Sequence, residues 1–149
     1  MTDPLPRLVE GKADLAEAWG GCHCGAVRFR VRLADGLRTA RRCTCSYCRM
    51  KGTVAVTVAE GGFDLLQGAD ALSEYRFNTG VAAHHFCWVC GVNTHHSRRS
   101  TPGQLAVSVA CLDGRSPFDF AELPVMDGQN HPSDLGRSRR TGVLRYSPE

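Results

Sequence analysis

The sequence predicts an all-β fold. Apolar and charged residues alternate with a period of two through its middle, glycine-containing turns separate the alternating runs, and no long amphipathic helix is evident. The clearest run is 26–33, where Val27, Phe29, Val31 and Leu33 share one face and Arg28, Arg30 and Arg32 the other, the pattern of a half-buried strand. The same period puts Val54, Val56 and Val58 on one side of a strand over 53–59, and Leu105, Val107 and Val109 on one side of a strand over 105–111. Shorter strands are expected at 63–66, 73–78, 92–95 and 118–123. Gly61-Gly62, Gly68, Gly80, Pro102-Gly103 and Asp113-Gly114 mark the turns between strands. Residues 14–19 are expected to make a helical turn or two, and a short turn to follow the middle cysteine group.

A chain of 149 residues is expected to form one core, since at this size roughly 70% of the unfolded surface is buried. It divides into an N-terminal extension over 1–18, a cysteine-rich domain over 19–133 and a basic tail over 134–149 with Arg137, Arg139, Arg140 and Arg145. Residues 1–12 and the tail read as loosely attached, the tail being either solvated or an anion-contacting arm. A net charge of +3 is too slight to require a nucleic-acid partner, and none is expected. No apolar run approaches the roughly 18 residues of a membrane span, so no membrane partner is expected either. No sequence signal sets an oligomeric state. The first ten residues hold two prolines and both signs of charge where a secretory signal needs an apolar run. A cytoplasmic location is therefore expected, and in that reducing compartment clustered thiols are more often metal ligands or catalytic groups than disulfides.

Seven of the eight cysteines fall into three groups: Cys22-His23-Cys24-Gly25, Cys43-Thr44-Cys45-Ser46-Tyr47-Cys48 and Cys87-Trp88-Val89-Cys90-Gly91. Two knuckles of two thiolates complete a tetrahedral structural zinc site. The first and third groups pair on this reading, because both end in a glycine that lets the backbone curl its N–H groups toward sulfur. Rubredoxin-like iron is the competing occupant. Cys43, Cys45 and Cys48 then remain as three ligands with a vacant position, the pattern of a catalytic zinc. His84 or His23 would close this site into a second structural one, and a dithiol redox role for Cys45 and Cys48 or for Cys87 and Cys90 is a further alternative. Three thiolates and Zn2+ sum to −1, a weak Lewis acid that favours a soft incoming thiolate over a hard carbonyl. A thiol substrate is expected. Cys111, alone in a predicted strand, reads as a small buried apolar residue.

In this order and at these separations the groups resemble the glutathione-dependent formaldehyde-activating enzyme and centromere protein V family. The resemblance runs from about Gly20 to His131. Its elements are Gly21-Cys22-His23-Cys24-Gly25-Ala26-Val27, Cys43-Thr44-Cys45-Ser46-Tyr47-Cys48-Arg49, Tyr75-Arg76-Phe77-Asn78-Thr79 with Ala82 and His84, Phe86-Cys87 with Cys90-Gly91-Val92, Cys111-Leu112-Asp113, and Asp127-Gly128-Gln129-Asn130. It implies small antiparallel sheets pinched at zinc sites, a β-tent. It also implies two Zn2+ per chain, with Cys22, Cys24, Cys87 and Cys90 holding the structural ion and Cys43, Cys45 and Cys48 the catalytic one. The implied activity joins glutathione to formaldehyde, giving S-hydroxymethylglutathione, and is classed as a carbon–sulfur lyase in reverse.

The expected function is thus a zinc-dependent lyase or synthase acting on a glutathione-type thiol and formaldehyde or another small aldehyde. A non-catalytic zinc-stapled binding module and a thiol or zinc sensor are the alternatives. His84 either shuttles a proton or packs. Arg49 and Lys51 either meet substrate carboxylates or are simply exposed. Asn78 and Thr79 either orient His84 or substrate, or make a turn with Gly80. The stretch His95-His96 and Arg98-Arg99 is expected in solvent.

Overall fold

The computed structural model describes residues 5–99, 101–130 and 138–149. Among them are β1 (Arg7–Leu8), β2 (Glu17–Gly21), β3 (Arg28–Leu33), β4 (Arg42–Cys43), β5 (Ala55–Gln67), β6 (Leu72–Tyr75), β7 (His84–Cys87), β8 (Asn93–Ser97), β9 (Leu105–Ser108), β10 (Phe120–Met126) and β11 (Arg140–Arg145), with one short helix, α1 (Ser46–Lys51). The larger sheet has the order β2-β3-β5-β9-β8-β7-β6, antiparallel throughout. The smaller is built on β10, to which β1 and β11 pair antiparallel and β4 parallel. The all-β expectation holds.

Alternation in β3 does what a period of two requires: Phe29, Val31 and Leu33 are buried while Arg30 and Arg32 face solvent. Val56 of β5, Val107 of β9, Val109 and Phe120 join them in one core, where Phe29 stacks on Phe63 with ring centroids 5.2 Å apart. Gly61-Gly62 is not a turn between strands. Leu33 pairs with Val58 and Val31 with Phe63, so residues 59–62 bulge out of a single long β5. Gly61 takes φ +66°, a conformation that suits the bulge and bends the strand.

Residues 14–19 do not form a helical turn. Glu17–Gly21 is strand β2, with Ala18 opposite Val31 and Gly20 opposite Phe29. Pairing with an apolar strand outweighs the weak local helix preference of Ala and Glu. The expected strand over 105–111 ends at Ser108 and continues as a 3-10 turn, Val109–Cys111. Residues 118–123 begin in a turn at Pro117–Asp119, capped by Ser116, before β10. Nor are the two ends loosely attached where they are described. Arg7–Leu8 and Arg140–Arg145 both pair with β10, and backbone hydrogen bonding holds them without an apolar pattern. Residues 1–4 of the extension and 134–137 of the tail lie outside the described residues.

The two sheets are joined at one place that matters for the site. Arg41 exchanges backbone hydrogen bonds with Ala55 of β5, while the next two residues are β4 of the other sheet. That crossing presents Arg41 and Cys43 to the space between sheets.

Candidate metal centres

The Sγ atoms of Cys22, Cys24, Cys87 and Cys90 lie within 4.8 Å of one another. Cys22 and Cys24 sit in the turn between β2 and β3; Cys87 ends β7, and Cys90 lies in the turn between β7 and β8. The two knuckles are built alike. Cys22 N–H donates to Val27 O at 3.1 Å, and Cys87 N–H donates to Val92 O at 3.0 Å. Gly25 and Gly91 take φ of +83° and +79°, where a side chain would be strained. The curl aims backbone donors at sulfur. Val27 N–H lies 3.2 Å from Cys22 Sγ, and hydrogen bonds from the backbone of Cys24 and Val92 lower the Cys90 thiol to about 6. The Cys22–Cys24 and Cys24–Cys87 sulfurs are 3.6 and 3.7 Å apart, close to the edge of about 3.8 Å expected for a tetrahedron with 2.3 Å zinc–sulfur bonds. These residues fit a fully wrapped tetrahedral metal ion.

Cys43, Cys45 and Cys48 form the second group, their sulfurs also within 4.8 Å. Cys43 ends β4, Cys45 is the N-cap of α1, and Cys48 lies within it. The helix therefore starts inside the cysteine group rather than after it. Cys45 Sγ accepts the hydrogen bond from Cys48 N–H at 3.2 Å and Cys43 Sγ that from Cys45 N–H at 3.5 Å. Packed together, the three cannot all ionise by themselves. Hydrogen bonds from Cys43 and Cys48 hold Cys45 far below the thiol range, while Cys43 and Cys45 push Cys48 far above it. A dication would relieve this mutual repulsion. Among the described residues no histidine or carboxylate joins the three, so neither His84 nor His23 closes the group.

These thiols line a cleft of about 550 Å³. His84 is 3% exposed in its wall, and its Nδ1 lies 3.2 Å from Lys51 Nζ. Burial and the Lys51 charge lower His84 to about 4, so the imidazole is neutral at pH 7. Its ring packs on Tyr47 at 4.5 Å and on His96 at 5.2 Å. Asn78 and Thr79 border the cleft too, in a turn closed by Gly80 N–H to Phe77 O at 3.0 Å. Arg49 and Lys51 both face it.

The stretch 95–99 is not in solvent, as its composition suggested. His95 is 5% exposed and stacked on His85, while His96 and Arg98 line the cleft. The β7–β8 pairing sets His96 opposite His84. Reading 92–97 as a strand with a period of two would have put His96 and Arg98 on one face. Arg41, whose burial together with the Arg98 charge lowers it to about 10, carried no such signal.

A family model described as glutathione-dependent formaldehyde-activating enzyme matches residues 17–122. A Halomonas elongata protein provisionally named as a glutathione-dependent formaldehyde-activating enzyme is 39% identical over 80 residues, which is 48% of this chain and 50% of that protein. The matched region thus spans about half the length of that curated relative. A crystal structure of a Rhodobacter sphaeroides protein is similar with a TM-score of 0.70 and 46% identity, over 72% of this chain and 98% of that one.

Proposed function

This chain belongs to the glutathione-dependent formaldehyde-activating enzyme family, and on that premise we propose that it joins a glutathione-type thiol to formaldehyde or another small aldehyde, as a zinc-dependent carbon–sulfur lyase running in reverse. The observation that carries the reading is the contrast between its two thiol groups. One has four sulfurs; the other has three, on the wall of an open cleft, with no fourth described ligand. Zinc held by Cys43, Cys45 and Cys48 would supply one open position that keeps an incoming thiol as its thiolate at neutral pH.

The remaining steps belong to the chain. His84, with Lys51 donating to its Nδ1, carries its ring proton on Nε2 and offers it to the aldehyde oxygen. As the sulfur lone pair forms the carbon–sulfur bond, the carbonyl π pair moves to oxygen and takes that proton while Lys51 passes one of its own to Nδ1, so the imidazole stays neutral throughout. The proton released by the thiol returns to Lys51, so no oxidant or reductant is required. Tyr47 and Phe77, packed on His84, keep the ring in place and one side of the cleft apolar. Cys22, Cys24, Cys87 and Cys90 hold the structural ion, and a cytoplasmic location supplies the reduced thiol.

NMR exchange spectroscopy of glutathione with formaldehyde tests the proposal. The zinc-loaded protein is expected to accelerate exchange above the spontaneous rate, and Cys45→Ala to abolish the acceleration. Exchange that neither protein alters excludes this reaction.

A further inference from the structure

We propose that Arg41 and Arg98 form a carboxylate seat in the three-cysteine cleft, so that the site selects thiols bearing a carboxylate over neutral ones. The inference rests on reading Cys43, Cys45 and Cys48 as the thiol-accepting centre.

Both guanidinium groups are anchored on one side. Arg41 Nη1 donates to Thr39 O at 3.0 Å and Thr57 Oγ1 at 3.1 Å. Arg98 Nη1 donates to Gln104 Oε1 at 2.8 Å, and its backbone N–H donates to Gln104 O at 3.0 Å. Neither anchor is charged. Among the described residues no carboxylate pairs with Arg41, Arg98 or Lys51. Asp127, the acid lining the same cleft, is already held by Arg139 at 2.7 Å and by Asn130.

Elsewhere the chain pairs its arginines freely: Arg7 with Glu122, Arg28 with Asp113, Arg30 with Glu17 and Arg38 with Asp14. Arg41, Arg98 and Lys51, none with a carboxylate partner among the described residues, line the cleft where a substrate would lie. Burying a cation without a partner is costly, so a counter-charge is expected to arrive with the ligand. Three thiolates and a dication leave one negative charge against Arg41, Arg98, Lys51 and Arg49, all of which line the cleft. An incoming thiolate adds a second. A positive excess remains, which a carboxylate on the same molecule would offset, and the planar fork of arginine suits that group.

The test uses cobalt-substituted protein, whose sulfur-to-cobalt charge-transfer band reports thiol entry without turnover. The probes are 3-mercaptopropionate against its methyl ester, and glutathione against its diethyl ester. Each acid is expected to bind about tenfold or more tighter than its ester, the worth of one charge-assisted hydrogen bond. In Arg98→Gln that preference falls toward unity while ester affinity holds; Arg41→Lys, which keeps the charge and loses the fork, reduces it in part. Equal binding of acid and ester by the unaltered protein overturns the seat. So does an equal weakening of both by Arg98→Gln, which would mean that the cations only balance the metal cluster. If thiols perturb the band without an acid preference, the thiol-accepting reading stands and the seat alone falls; if no thiol perturbs it, both fall.

Discussion

Gly128 touches the three-cysteine group so closely that a Cβ there would overlap Cys43 Sγ and stand 2.7 Å from Cys45 N. The approach is enforced from both sides. Gly128 N–H donates to Thr44 Oγ1 at 3.0 Å, and Asp127 Oδ1 accepts from Gln129 and Asn130 N–H at 3.0 and 2.9 Å. The Asn130 and Arg139 bonds also hold the Asp127 carboxyl below its usual range. Gly128→Ala is therefore expected to weaken the second metal by about 10- to 100-fold, as loss of a supporting contact does, while leaving the four-thiol metal in place. Competition with a chelator, counted as metals lost per chain, reads this directly; unchanged retention of both ions would show that Cys43 yields freely. From sequence alone the glycine was visible within a family motif, but its reason was not. The contact joins residues more than eighty positions apart, and no local pattern encodes it.

At the scale of elements, Glu122 of β10 reaches both neighbouring strands, with Oε1 2.9 Å from Arg7 Nε and Oε2 3.1 Å from Arg145 Nε. The Arg7 hydrogen bond leads the effects that lower its pKa below the ordinary glutamate value. A carboxylate lowered in this way contributes stability above its unfolded value, about 4.3, and loses the contribution as pH falls through the folded one. At pH 7 the clip is fully present, and Glu122→Gln is expected to speed hydrogen exchange of the β11 amides a few-fold, leaving β3 and β5 unchanged. That gap should close as the unaltered protein is taken below pH 4; a gap independent of pH would assign the effect to packing.

The same strand shows what the sequence hides. β3 was legible because one of its faces is core and the other solvent, so Phe29 and Val31 alternate with arginines. β11 has no such contrast, since its burial does not alternate and it holds an edge by backbone pairing and polar side-chain contacts. In β5 the Gly61-Gly62 signal was real but served a bulge rather than a chain reversal. The cysteine ligand sets were legible because close spacing is itself the chemistry. The cations of the cleft were not, because Arg41 and Arg98 lie more than fifty positions apart and come together only through the β5-β9-β8 order of the larger sheet, which Arg41 joins by its bridge to Ala55.

For the molecule as a whole, the four-thiol group acts as a closure. In the larger sheet β5 and β9 separate the β2–β3 hairpin from the β7–β8 hairpin, and in a flat sheet β3 and β8 would stand about 14 Å apart. Their knuckles nevertheless bring four sulfurs within 4.8 Å, so the sheet curls until its two hairpins meet. A metal ion held by the four thiols would fix the curvature on which the core and the cleft both depend. Metal binding to such sites contributes folding free energy outright. The three-cysteine group closes no comparable span, since its ligands lie within six residues of one another. Cys87→Ser is accordingly expected to lower the melting temperature by about 10 °C or more, each kcal/mol shifting a domain of this size by roughly 2–4 °C. Cys48→Ser should lose one metal and little stability. Cys87 is fully buried, so Cys111→Ser, which places the same hydroxyl at a buried site outside both groups, measures the cost of the exchange itself. Calorimetry with metal content on all three variants separates the outcomes: a Cys87→Ser loss no greater than that of Cys111→Ser would mean that the curl stands without its clasp.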